Sequence, residues 1–122
     1  MIILNDSRFS DEIFFNAKNL EDIKNSPNNS TIIFKYYEND LKLYKFCHKN
    51  NIYFGVEINS IEQFIFISNL GAKYAFCNDI NLAIKLQKIA DNYLLETKVI
   101  LKSTIKEIET IALNEIDGIF VI

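Results

Sequence analysis

Three charged residues interrupt or end otherwise apolar, β-rich runs of the sequence: Lys35 in TIIFKY, Glu57 in FGVEI and Lys102 in VILKS. A charge on a strand that is covered on both faces is costly unless it is paired or put to use. Two lysines and one carboxylate in such places could perform imine chemistry. An amine kept unprotonated by burial or by the second ammonium attacks a carbonyl, and Glu57 shuttles the proton. The architectural alternative is a cross-strand ion pair between Lys35 and Glu57, with Lys102 reaching water at its strand end. The neighbouring strand ends offer Asn16, Cys77, Asn78, Asp79 and Ser103, which together could hold a small anionic ligand.

Other chemistry-bearing types point to quieter roles. Asp79 follows a strand pattern and precedes a helical one, so capping is its expected work, and Asn39-Asp40 has the same form. His48 is the one histidine, which excludes a multi-histidine metal site, and no metal is expected. Cys47 precedes it, but neighbours on a helix point about 100° apart and make no nucleophile–base pair. Both cysteines are expected to pack as small, reduced hydrophobes. No Gly-rich phosphate loop follows the later strands, and no cofactor is expected.

These groups must be positioned by a chain of 122 residues, enough for one domain with its own core. Hydrophobic residues make up 49% and charged residues 24%, the balance of a globular domain. The net charge is −3 and Arg8 is the only arginine, so there is no basic stripe to neutralise phosphates and nucleic acid is an unpromising partner. No run approaches the roughly 20 apolar residues that span a bilayer. Met1 to Leu4 has no charged segment before it and does not read as a signal peptide, so a cytoplasmic, soluble protein is expected.

Strand patterns fall at 13–16, 31–36, 52–58, 74–77, 99–102 and 118–121, and helical patterns at 19–26, 39–49, 60–70, 79–94 and 104–115. With only three glycines and one proline, the boundaries are marked by Asn, Ser, Thr and Asp. The alternation predicts a single α/β domain over 1–122 with a mainly parallel sheet of about six strands, open or shaped as a partial barrel. Met1 to Leu4 reads as a further strand, paired with Ile13 to Asn16. The terminal strand Gly118 to Ile122 must be interior to the sheet or covered, since an apolar edge invites aggregation.

The stretch GVEINSIEQFIFISNLGAKYAFCND (55–79) resembles the strand, helix, LGA, strand unit of phosphate-binding (β/α)8 barrels such as the keto-deoxy-phosphogluconate aldolase group. The resemblance covers about a fifth of the chain and implies local barrel architecture, although six or seven strands fall short of eight. Aldolases of that group use a Schiff-base lysine and a carboxylate. The resemblance does not choose between Lys35 and Lys102.

The helix within 55–79 is apolar on most of its circumference, through Ile61, Phe64, Ile65, Phe66 and Ile67. Such a helix is buried on more than one side, and a second copy of the chain is the expected cover, with the N-terminal segment as the alternative. Two functions follow. One is a non-enzymatic module acting by self-association or binding of a partner protein. The other is a small-molecule-binding or lyase-like domain with its site at the carboxyl ends of the strands.

Overall fold

The computed structural model describes residues 1–122 as alternating strands and helices. The strands are β1 (Ile2–Leu4), β2 (Phe14–Asn16), β3 (Thr31–Lys35), β4 (Phe54–Glu57), β5 (Tyr74–Cys77), β6 (Lys98–Ser103) and β7 (Gly118–Val121). The helices are α1 (Leu20–Lys24), α2 (Leu41–Lys49), α3 (Ile61–Asn69), α4 (Ile80–Tyr93) and α5 (Ile108–Leu113). Short 3-10 turns at Glu38–Asp40 and Ile105–Glu107 lead into α2 and α5. No helix is long and apolar enough to cross a membrane.

All seven strands are parallel, in the order β1-β7-β6-β5-β4-β3-β2. From β2 to β7 each strand lies beside its successor, joined through one helix. The helices gather on one face, where Ile23, Tyr44, Phe64, Ile67, Leu86 and Ile111 pack on the outward side chains of the strands. The terminal strand is interior, between β6 and β1, so it needs no partner molecule to cover its edge. Met1 to Leu4 corrects the expectation: β1 pairs with β7, at the opposite edge of the sheet from β2.

The face away from the helices is rolled onto itself. Five inter-strand steps separate β2 from β7, about 24 Å across a flat sheet, yet the rings of Phe14 and Phe120 meet at 5.3 Å between centroids. Phe14 also touches Tyr74 and Phe76, at 6.1 and 6.2 Å. Leu4, Ile33, Tyr74, Phe76, Ile100 and Phe120 form this second core, with Ile2 and Phe14 packed on it. The sheet is thus a partial barrel with a filled interior, open in hydrogen bonding between β1 and β2. Gly55 makes the filling possible, because a Cβ there would lie 2.4 Å from the Phe76 ring.

Scarce glycine is offset by asparagine. Asn5, Asn29 and Asn51 adopt φ near +60°, joined by Leu94 and Glu115, where glycine usually sits. Asn19, Ser60 and Asp79 cap α1, α3 and α4 by accepting from Asp22, Gln63 and Asn81 backbone N–H groups.

Candidate site at the carboxyl ends of the strands

Strand alternation decides which side chains enter the rolled interior. Register pairs Lys35 with Glu57, Glu57 with Phe76, and Lys102 with Phe120, so all five face inward. Asn16 follows Phe14 at a spacing of two and shares its face. The inward positions therefore change from an aromatic layer of Phe14, Phe76 and Phe120 to a polar layer of Asn16, Lys35, Glu57 and Lys102 at the carboxyl ends. That is the end of a parallel sheet where ligands bind in general.

Glu57 is ion-paired, but with Lys102 instead of Lys35. Lys35 and Glu57 are Cα partners on adjacent strands and still form no ion pair within 4.0 Å. The curl of the sheet explains the choice. It tilts the β4 and β6 side chains toward each other above Phe76, and the two long side chains span the intervening strand. The pair is largely covered, with side chains 23% and 28% exposed, and the Lys102 ammonium lies 5.5 Å from the centre of the Phe120 ring.

An open cleft of about 870 Å3 lies beside the pair, lined by Asn16, Lys18, Asp22, Lys35, Tyr36, Tyr37, Asp40 and Glu57 with Ala17 and Ile33. Three of the predicted residues, Asn16, Lys35 and Glu57, thus share one space, and Lys102 joins them through Glu57. The tyrosines and Asp40 come from the β3–α2 connection. Sequence reasoning missed Tyr36 and Tyr37, although they follow Lys35 directly, and assigned Asp40 to capping. The carboxylate of Asp40 makes no cap hydrogen bond, because the 3-10 turn enters α2 directly and leaves no extended N-cap residue.

The other expected ligand residues lie elsewhere. Cys77 faces the helices and is buried in their core, and burial pushes its thiol up to about 12. Cys47 is buried on the same side and raised to about 11 by burial. Ser103 alternates with Lys102 and points away from the interior. Asn78 and Asp79 line a separate pocket of about 320 Å3 with Asn59 and Lys85, and the Asp79 carboxylate is occupied as a cap.

A second polar cluster closes the opposite end of the interior. The Glu12 carboxylate accepts from the Thr31 hydroxyl at 2.6 Å, the Tyr74 hydroxyl at 2.7 Å and the Lys73 ammonium at 3.2 Å. Burial works against its ionisation, but the three donors outweigh it and hold the carboxyl below its ordinary pKa. Burial and the adjacent carboxylate raise that of Tyr74. This cluster ties the segment between β1 and β2 to β3 and β5, and nothing in the local sequence around Glu12 announces partners 61 and 62 residues away.

On α3, Phe64 and Ile67 are fully buried in the domain itself, which removes these two from the interface expected there. Ile61, Ile65 and Phe66 remain 38%, 43% and 37% exposed. No protein-family model matches the chain, and no curated protein matches it.

Proposed function

We propose that this domain binds a small molecule carrying an anionic group in the cleft at the carboxyl ends of β2, β3 and β4. Lys35 and Asn16 contact the anion, and the Glu57–Lys102 pair forms the inner wall. The observation that carries this reading is the change of the inward face from an aromatic layer to a polar one where the cleft opens. A filled interior gives the ligand a rigid floor, and Lys35 brings a cation that no carboxylate of the chain neutralises.

The test is thermal denaturation with a panel of keto acids, sugar phosphates and amino acids. A ligand at 100 times its Kd stabilises by about 2.7 kcal/mol, and Lys35→Ala should remove that stabilisation while leaving the unliganded protein folded. A panel without one stabilising compound would refute the role. Borohydride trapping with the same keto acids separates simple binding from imine formation, since only imine formation leaves one lysine covalently modified.

A second reading is self-association through α3, supported by the half-exposed Ile61, Ile65 and Phe66, with the similarly exposed Ile84 on α4, the helix that packs against α3. Light scattering of the wild type against Phe66→Glu tests it. A wild type that is monomeric at micromolar concentration would end that reading.

A further inference from the structure

Some charges in the cleft are satisfied by the protein and others are not. Glu57 is taken by Lys102. Asp22 accepts the Lys18 backbone N–H at 2.9 Å, in the first turn of α1. Three groups remain without a partner: the exposed Lys18 and Lys35 ammoniums and the half-buried Asp40 carboxylate make no ion pair within 4.0 Å, and none of these charged ends makes a hydrogen bond.

Asp40 is unusual for its position. An aspartate at the start of a helix normally turns its carboxylate onto the N–H groups of the first turn, which is why the residue is favoured there. Here Asp40 has φ −94° and ψ 6°, continues the preceding 3-10 turn and makes no such bond. It is half-buried, and burial raises its pKa. The other charged groups near it are Lys18 and Lys42, which line the adjoining groove between α1 and α2, and neither comes within ion-pairing distance.

The sum of the charges matters as well. Lys18, Lys35 and Lys102 balance Asp22, Asp40 and Glu57, so the cleft and its inner wall are neutral together. A simple anion would satisfy the open lysines but face the open Asp40 carboxylate. A simple amine would have the reverse difficulty. Open charge of both signs is satisfied at once by a molecule that carries both signs.

Building on the binding role of this cleft, we propose that its ligand is a zwitterion, with an oxyanion held by Lys35 and the Asn16 side-chain amide and an ammonium held by Asp40. Tyr36 and Tyr37, on the connection between the two charged contacts, flank the body of the molecule. The ligand class is an amino acid or another amine-bearing carboxylate.

The experiment uses the full chain and ω-amino acids of increasing length: 3-aminopropanoate, 4-aminobutanoate and 6-aminohexanoate. Each is compared with the carboxylate and the amine of matching length by calorimetry and by amide chemical-shift perturbation. One amino acid should bind at least about tenfold tighter than both of its single-charge analogues, with shifts at Asn16, Lys35 and Asp40. Asp40→Asn should weaken that amino acid and abolish its advantage over the matched carboxylate, which itself should bind as well as before or better once the facing charge is gone. Carboxylates that bind as well as the amino acids would overturn the zwitterion and leave the anion-binding role standing. An unchanged amino-acid affinity in Asp40→Asn would also overturn it, and Asp40→Ser repeats that measurement if the first variant is unstable. Absence of any shift at the cleft with every probe would overturn both.

Discussion

Replacing Glu12 by glutamine tests whether the segment between β1 and β2 is fastened to the barrel by charge. The carboxylate serves two hydroxyls, Thr31 and Tyr74, both on buried residues, and one ammonium. Glutamine keeps one acceptor oxygen but turns an N–H group toward the other donor. One buried hydroxyl then loses its partner, at about 1–3 kcal/mol, and the ion pair with the half-exposed Lys73 adds little. The expected loss is about 2 kcal/mol at pH 7, a fall in the urea midpoint of about 1 M. Its pH dependence is the sharper test. Because the folded-state pKa of Glu12 lies below the ordinary value, its contribution is fully present above the unfolded pKa of about 4.3 and is lost as pH falls through the folded value. Urea titrations of wild type and Glu12→Gln should therefore differ at pH 7 and converge toward pH 3. A difference that stays constant across that range would refute the electrostatic origin, and no difference at pH 7 would refute the fastening itself.

Gly55→Ala places a Cβ 2.4 Å from the Phe76 ring and 3.0 Å from the Tyr74 Cβ, so overpacking of about 1–3 kcal/mol should appear in the same urea titration. Leu94 is 86% exposed with φ +54° at the end of α4, so Leu94→Gly should raise stability by about 0.5–1 kcal/mol; a loss would mean that its side chain contributes packing. Neither Cys47 nor Cys77 should react with a thiol reagent at pH 8 in the native state, while both should react in urea; a fast native reaction would contradict their burial.

The alternation of strands and helices was legible because each element carries its own period and its own cap. Tyr74–Cys77 and Gly118–Val121 have the boundaries that the pattern predicts, and Asn19, Ser60 and Asp79 cap as their positions imply. The position of β1 was not legible, since a three-residue strand has no preference for β2 over β7 and the choice belongs to sheet closure. The site was legible in part. Charges at strand ends marked Lys35, Glu57 and Lys102, whereas the pairing of Glu57 across β5 depends on curvature that no single strand encodes. Cys77 and Ser103 failed by parity, because each lies one residue from an inward position. Asp40 and Glu12 were missed because their roles come from contacts or absent contacts in space. On helix α3 composition did not separate Phe64 and Ile67, which fill the domain's own core, from Ile61, Ile65 and Phe66, which stay half-exposed.

The pairing of β1 with β7 also sets the order in which the protein can be built. The side chain of Asn5, at the end of β1, donates to the Val121 carbonyl 116 positions further along the chain. The strands from β2 to β7 can join neighbour to neighbour as they emerge, each closing a short loop at modest entropic cost. Strand β1 precedes β2 to β7 in the chain but pairs only with β7, so it cannot dock until β7 has been made. Until then the apolar edge of β7 is bare. The interval between completion of β7 and arrival of β1 is accordingly the step in which a nascent chain is most exposed to misassembly with another.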